Sequence, residues 1–402
     1  MAGGHLRSNR SAVLLALGLT VNLAPIATFA AVLPEVSAAW GLSSSQAGWI
    51  GGIYFGGYAA AVPVLATMTD RVDGRWIFAG SSLLAAAASL VFAGSADGFW
   101  SAFVLRLLNG VALAGVHMPG LKLLAERTQG RGRARGAAVY SACYSLGAAA
   151  SFFLAGAVDA GHGWRAAFAV SGLVPLVAIG IVASLSAATE TVANVGFTYD
   201  VRPLLRNRAL MAYVVAFAGN IWEVSAVRAW FVAYLAWTFS LPHHRLDVPS
   251  PPVISGLASL AGFPVSIIVA ECALRWGPRA IVVTCLASVA ILVALAGTAG
   301  GPSVVVLPLL VLAQIAALAD ASALAAGAVA AADPARRGAA LAMFASVGYT
   351  AAFIGPVAAG LALDAFGGGT SPTGWSVAFA TMALGSSAAA WAVGKGRRIG
   401  GP

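Results

Sequence analysis

The sequence has few charged residues, which make up only 9% of its 402 positions. An ordinary soluble domain carries about 25%. It also has only three cysteines, Cys143, Cys272 and Cys285, and all of them lie in apolar runs. So few cysteines cannot hold a fold together through disulfides, and we interpret them as small core residues. A soluble domain and a disulfide-stabilised scaffold are therefore both excluded.

Several catalytic motifs are missing as well. The one Gly-Lys pair, Gly394-Lys395, stands near the C-terminal end and is followed by Gly396, so it does not form a phosphate-binding loop. Neither His-Glu-x-x-His nor Gly-x-Ser-x-Gly occurs. We therefore predict neither an enzyme nor an ATP-driven pump, and we expect no cofactor and no metal ion.

Hydrophobic residues, in contrast, make up 60% of the chain. A helix that crosses a bilayer needs about 20 apolar residues, so twelve such helices take about 240 residues. Apolar stretches separated by glycine, proline or charge predict twelve spans and hence an all-α membrane protein. The predicted spans are 12–34, 46–69, 76–95, 98–125, 136–158, 165–187, 210–240, 253–274, 279–299, 303–332, 338–363 and 374–394.

The positive residues are unevenly divided between the loops of this topology. If the N-terminus is cytoplasmic, 19 of the 23 lysines and arginines fall on the inner side. Only Arg165 and Arg245 fall outside, and Arg106 and Arg228 lie within spans. Cationic loops stay on the cytoplasmic face, so the pattern predicts that both termini are cytoplasmic. It also explains the net charge of +9 without a nucleic-acid partner.

The two halves of the sequence echo each other. Gly163-Trp164-Arg165-Ala166-Ala167-Phe168, at the start of the sixth span, returns as Gly374-Trp375-Ser376-Val377-Ala378-Phe379, at the start of the twelfth. Two further echoes, before the fifth and eleventh spans and after the second and eighth, have nearly the same offset. These repeats predict two pseudo-symmetric six-helix bundles, 1–187 and 210–402, joined by a cytoplasmic linker, 188–209.

Two motifs resemble signatures of the major facilitator superfamily of secondary transporters. Residues 66–75 read Ala-Thr-Met-Thr-Asp-Arg-Val-Asp-Gly-Arg, similar to Gly-x-x-x-Asp-Arg-x-Gly-Arg but with one extra residue and alanine in the first place. Residues 106–114 fit Arg-x-x-Asn-Gly-x-x-x-Ala. The resemblance implies two bundles that rock about a central cavity lined by helices one, four, seven and ten. It also implies a cytoplasmic gate at Asp70, Arg71, Gly74 and Arg75.

Polar residues within the spans agree with that cavity. Charged groups in hydrocarbon are costly unless they face a partner or water, and here they fall on spans four, seven and ten. Buried amides fall on the same spans and on span one. We predict that these side chains line the substrate and proton pathway: Asn22, Arg106, Asn109, His117, Asn220, Glu223, Arg228, Gln314 and Asp320.

The ionisable members of this set have alternative roles. We predict that Glu223 carries the proton, with a permanent ion pair as its alternative, and that Asp320 is the reserve. Arg106 either couples protons or binds an anion, or it bonds neighbouring carbonyls. Arg228 is an anion clamp or packs on a tryptophan. We interpret His117 as a hydrogen-bonded packing residue.

These features together predict a proton-coupled secondary transporter of a small organic anion or polar metabolite. Efflux of amphipathic drugs and a non-transporting receptor on the same fold are the alternatives. We expect a monomer in the cytoplasmic membrane of a bacterium, with substrate, protons and membrane lipid as its partners. Gly52 and Gly56 are predicted to let their helix approach a neighbour closely.

Overall fold

The computed structural model describes residues 2–69, 71–128, 130–185, 202–242, 246–333 and 336–399. Within these ranges the chain forms fifteen α-helices and no strand. They are α1 (Ala2–Asn22), α2 (Thr28–Ala31), α3 (Leu33–Trp40), α4 (Ser44–Met68), α5 (Gly74–Ser95), α6 (Phe99–Arg127), α7 (Gly130–Ala183), α8 (Arg202–Arg206), α9 (Arg208–Ser240), α10 (Pro251–Trp276), α11 (Pro278–Gly297), α12 (Ser303–Ala319), α13 (Ala321–Ala331), α14 (Arg337–Ala365) and α15 (Pro372–Ile399).

The predicted all-α membrane fold is confirmed. In the described part of the chain, ten helical segments are long and apolar enough to cross a membrane. The difference from twelve has two local causes. The fifth and sixth predicted spans are joined in α7, which is interrupted at Gly163 by a left-handed φ of 75°. The first predicted span is divided among α1, α2 and α3, and its apolar helix, Arg10–Asn22, is short.

The chain divides into two compact units. Unit 1 contains Met1–Phe29 and Gly57–Gly196, and unit 2 contains Ala30–Gly56 and Phe197–Pro402. The predicted bundle 1–187 did not anticipate that Ala30–Gly56 belongs with the C-terminal unit. The chain leaves unit 1 within α2 and returns to it within α4. The division into bundles at 187 and 210 remains a prediction.

Unit 1 has an aromatic core. Phe92 stacks on Phe168 with ring centroids 3.8 Å apart, and the edge of Trp164 meets Phe92 at 6.3 Å. The buried Tyr140 hydroxyl donates to the carbonyl of Val116 at 3.1 Å. The ring contacts join α5 to α7, and the Tyr140 hydrogen bond joins α7 to α6.

Unit 2 is built around α9. Phe217 stacks on Phe344 of α14 at 4.0 Å, and Tyr234 packs on Trp375 of α15 at 4.8 Å. Gly219 of α9 and Gly385 of α15 face each other so closely that a Cβ atom on either would meet the other's carbonyl. Small residues let the backbones of membrane helices approach each other, so α9 packs closely against α15.

Candidate functional site

A break in the first predicted span organises the polar groups of unit 1. Residues 23–27, between α1 and α2, have turn rather than helical geometry. Arg106 of α6 donates from Nη1 to the carbonyl of Pro25 at 2.8 Å and from Nη2 to that of Ile26 at 3.3 Å. Ser151 of α7 donates to the carbonyl of Ala24. These side chains replace the helical bonds that the break removes, as an apolar interior requires.

The Arg106 side chain is almost completely buried, with 3% exposure. Its guanidinium also lies over the ring of Phe29 at 5.9 Å. Guanidinium keeps its charge throughout the physiological pH range, so a change of pH does not remove the donors of these two bonds. Of its alternative roles, this geometry gives Arg106 the one of bonding neighbouring carbonyls, and its place in the transport pathway remains a prediction.

The other predicted residues of unit 1 also have local partners. The amide nitrogen of Asn22 donates to the carbonyl of Gly18 at 2.8 Å, and Asn109 accepts from Ser89 at 3.1 Å. His117 shares a 2.8 Å hydrogen bond between its Nδ1 and the Tyr58 hydroxyl. Its ring also lies parallel to that of Tyr140, 6.0 Å away. These contacts agree with the interpretation of His117 as a hydrogen-bonded packing residue.

A second helix break holds Asp320 in unit 2. Asp320 stands between α12 and α13, which together form the tenth predicted span, and it is 2% exposed. Its carboxylate accepts one hydrogen bond from the amide of Asn220 and one from the thiol of Cys285, whose sulfur is 3.0 Å away. The Asn220 amide also donates to the carbonyl of Ala317 at 2.8 Å. Asn220 therefore ties α9 to the break.

Glu223 lies one turn further along α9 and is fully buried. One carboxylate oxygen accepts a hydrogen bond from Ser288 of α11, and the other accepts one from Ser386 of α15. Within the described part of the chain, neither Glu223 nor Asp320 forms an ion pair. The two deepest carboxyl groups are thus held by neutral donors.

Three buried amides keep an oxygen without a hydrogen-bond partner among the described residues. These are Oδ1 of Asn22 in unit 1, and Oδ1 of Asn220 and Oε1 of Gln314 in unit 2. The amide nitrogen of Gln314 donates to Ser259 at 3.1 Å. Arg228, on α9 with Glu223, is also buried at 5% exposure. Buried acceptors without partners are uncommon and mark places where water or a ligand with donors fits.

The predicted gate residues are only partly described. Asp70 lies outside the described residues, Arg71 is exposed, and Gly74 begins α5. Arg75 donates from Nε and Nη2 to Asp73, and from Nη1 to the carbonyl of Leu185 at 2.7 Å. Asp73 also caps α5 by accepting from the Arg75 backbone N–H. These hydrogen bonds from Arg75 hold the pKa of the Asp73 carboxyl below its ordinary value.

Sequence reasoning missed the partners of these groups. Ser288, Ser386 and Ser151 are single hydroxyls in apolar spans, and Cys285 was interpreted only as a core residue. No local pattern distinguishes such residues, because serine and cysteine are ordinary small residues in membrane helices. Asp73 did carry a signal, since aspartate directly before a helix start is a preferred cap.

The sequence matches the model of the Major Facilitator Superfamily over residues 15–317, which is most of its length. The chain belongs to this superfamily. Among solved structures, a bacterial homologue of the human lysosomal transporter Spinster, crystallised in an inward-facing and occupied conformation, is similar with a TM-score of 0.80. Identity is 14%, and the alignment covers 96% of each chain.

The nucleoside transporter NupG, solved as a D323A mutant, is similar with a TM-score of 0.78 and 14% identity, over 97% of this chain and 99% of that one. No curated protein matches the sequence. At this identity the neighbours show the shared fold. The family assignment and this fold make the chain a multi-pass membrane protein of the superfamily and support a role in membrane transport.

Proposed function

We propose that this protein is a proton-coupled secondary transporter of a small organic anion or polar metabolite, in which Glu223 carries the coupling proton. The observation that carries the proposal is the setting of Glu223: a fully buried carboxyl whose two oxygens are bonded only to the hydroxyls of Ser288 and Ser386.

Hydroxyl partners suit a group that must change its protonation state. A serine hydroxyl donates to a carboxylate, and after rotation it can accept from a protonated carboxyl. A permanent ion pair with a buried arginine would instead hold the carboxylate in one state. The bonds of Glu223 therefore support the role of proton carrier over that of a fixed salt bridge. Asp320 is the second candidate, because its partners, the amide of Asn220 and the thiol of Cys285, are also neutral.

The proposed substrate class rests on the remaining polar groups. Within unit 2, the amide oxygens of Asn220 and Gln314, which have no hydrogen-bond partner among the described residues, fit a solute that carries N–H or O–H donors. The buried Arg228, about one and a half turns from Glu223 on α9, suits a carboxylate because guanidinium binds it through two parallel hydrogen bonds. We therefore favour a small hydrophilic molecule over an amphipathic drug.

We also propose the cytoplasmic membrane of a bacterium as the location, with both termini inside, and a monomer as the working unit. The support is the distribution of 19 of 23 lysines and arginines on one side of the predicted topology. Reporter fusions near Arg133, in the predicted inner connection before the fifth span, test the orientation, which would be wrong if the reporter lay outside.

The coupling role is tested with Glu223→Gln in proteoliposomes. A thermal-shift screen of small carboxylates, amides, sugars and uncharged lipophilic compounds first identifies ligands, and a ligand that enters the proteoliposomes serves as the transport probe. We expect the variant to exchange this probe for itself at a rate within about twofold of the wild type. Accumulation driven by a pH gradient should be abolished, because an amide cannot take up or release the proton.

Glu271→Gln is the matched control, since Glu271 is 58% exposed near the end of α10 and pairs with Arg275. It should leave both fluxes unchanged. If Glu223→Gln still accumulates the probe along a pH gradient, Glu223 does not carry the proton. If only uncharged lipophilic compounds stabilise the protein, the proposed substrate class is wrong.

A further inference from the structure

The segment Ala30–Gly56 has an unusual position in the chain. The residues that precede it, up to Phe29, and those that follow it, from Gly57, belong to unit 1, whereas the segment itself packs within unit 2. It contains α2 from Ala30, all of α3, and α4 up to Gly56. Any relative movement of the two units must therefore either detach this segment from unit 2 or bend the chain at its two ends.

Asp364 holds the start of α4. Its Oδ1 accepts a hydrogen bond from the backbone N–H of Ser44 at 2.9 Å, and its Oδ2 accepts one from that of Ser45 at 2.7 Å. These N–H groups are the free donors of the first helical turn, which attract negative charge. Asp364, near the end of α14, thus caps a helix about 320 residues earlier in the chain.

The first turn of α4 does not depend on this cap for its own formation. Ser43 and Gln46 bond each other's backbone N–H groups through their side chains, at 3.0 and 3.2 Å. This reciprocal arrangement is a capping box, which stabilises the helix start from within. The two bonds to Asp364 are therefore free to serve as an attachment between α4 and α14.

Glycines allow α4 and α14 to pack closely along the rest of their contact. A Cβ atom on Gly48 would meet the carbonyl of Pro356, and one on Gly52 would meet that of Phe353. The predicted close approach of this helix face is thereby confirmed for Gly52. Beside the contact between α4 and α14, a cavity of about 420 Å³ lies between α3 and the rings of Trp230 and Trp237. The hydrogen bonds to Asp364 and the close backbone approaches at Gly48 and Gly52 both attach the segment to α14.

We propose that Asp364 is a releasable latch: its two hydrogen bonds to Ser44 and Ser45 hold Ala30–Gly56 on unit 2, and they break when the units move during transport. Because the latch requires this movement of the units, the inference rests on the proposed transport function. The bonds suit repeated release, because they lie at an exposed position, where water can replace each of them when the latch opens.

The latch is tested by distance measurement between nitroxide labels at Ala38→Cys in α3 and Thr370→Cys in the loop before α15, two exposed positions. Cys143 and Cys272 are replaced by alanine, and the buried Cys285 is kept. Asp364→Ala should raise the ratio of long to short distances by about 2- to 30-fold, the effect of losing a helix cap on a two-state equilibrium.

Asp97→Ala is the matched control, because Asp97 is an exposed carboxylate next to the start of α6 and bonds Ser101 there. It should keep the wild-type distances. Gly48→Ala should shift the distances in the same direction as Asp364→Ala with the carboxylate intact, since the added Cβ would meet the Pro356 carbonyl.

Size-exclusion chromatography and circular dichroism verify that each variant is folded. Should Asp364→Ala fail to fold, Asp364→Asn takes its place, because asparagine keeps one acceptor oxygen and should give a smaller shift in the same direction. Wild-type distances in the folded Asp364 variant would overturn the proposal. The measurement needs neither substrate nor a proton gradient, so its outcome is independent of the result for Glu223→Gln.

Discussion

Each unit contains an interrupted membrane helix, and the charged side chains at the two breaks have opposite signs. In unit 1 the break at residues 23–27 is bonded by a cation, Arg106, which donates to two carbonyls. In unit 2 the break at Asp320 contains an anionic side chain, which accepts from Asn220 and Cys285. Both charges are nearly fully buried. The difference lies in which of them can change: guanidinium keeps its proton, whereas a carboxyl group can gain one.

This contrast separates a structural role from a switchable one. The Arg106 bonds replace missing helical bonds, so removing them leaves backbone carbonyls without donors in an apolar interior. The Asp320 carboxyl can become neutral while its shape and its neighbours remain. We expect unit 1 to act as the more rigid frame around its break, and unit 2 to hold the groups that respond to protons.

The largest effect is expected from Arg106→Ala. The carbonyls of Pro25 and Ile26 would each lose a donor, at a cost of about 1–3 kcal/mol per buried group, or about 2–6 kcal/mol in the free energy of unfolding. Unfolding in mixed micelles with increasing SDS measures this. The matched control is Arg165→Ala, which removes an exposed arginine that also donates to two carbonyls, those of Ala93 and Ala96.

Water can replace the donor at the exposed bond to Ala93, so Arg165→Ala should cost about 1 kcal/mol, less than Arg106→Ala. Equal losses for the two arginine variants would show that burial of the break does not matter. A loss for Arg106→Ala below about 1 kcal/mol would remove the structural role assigned to this side chain.

An intermediate effect is expected at the second break. Asp320→Leu leaves the Cys285 thiol and one amide bond of Asn220 without an acceptor, for about 1–3 kcal/mol. Asp320→Asn keeps the shape and one acceptor, and should cost about 1 kcal/mol or less. The same SDS titration compares them. If Asp320→Asn destabilised the protein as much as Arg106→Ala, then removing the charge would cost the same stability at both breaks, and the proposed difference between them would be wrong.

The smallest effect concerns the exposed pair of Asp73 and Arg75 in unit 1. Because the pKa of Asp73 is lowered in the folded protein, the pair stabilises the fold above the ordinary aspartate pKa, near 4. That stabilisation is lost as the pH falls through the lowered pKa. Asp73→Asn should therefore flatten the dependence of unfolding on pH between 5 and 2 by less than about 1 kcal/mol. An unchanged pH dependence would show that the carboxylate contributes nothing measurable.

The sequence was most informative where a residue was out of place chemically. Glu223, Asp320, Arg106 and Arg228 stand in apolar spans, where an ionisable group is costly, and the structure buries all four. Their roles in transport remain predictions. The helical membrane fold followed from the length of the apolar stretches, and the family signature at residues 106–114 agreed with it.

The partners of these charges could not be predicted, because they depend on which helices become neighbours. Ser288 on α11 and Ser386 on α15 meet Glu223 only through the packing of three helices that are distant in sequence. Asp364, at the end of a span, resembles an ordinary solvated charge until α4 is placed beside it. The helix breaks were missed for a different reason: hydropathy averaged along a span does not reveal a few irregular residues within it.

The break at residues 23–27 also has a consequence for biosynthesis. Synthesis proceeds from the N-terminus, so the first apolar segment leaves the ribosome before Arg106 and Ser151 exist. At that stage the carbonyls of Pro25 and Ile26 lack the donors that Arg106 supplies, and carbonyls without donors are costly in lipid. The bonded form of the break is therefore completed only when α6 and the middle of α7 have been inserted. Unit 1 is expected to mature late, as one assembly of three distant segments, rather than hairpin by hairpin as each pair of helices emerges.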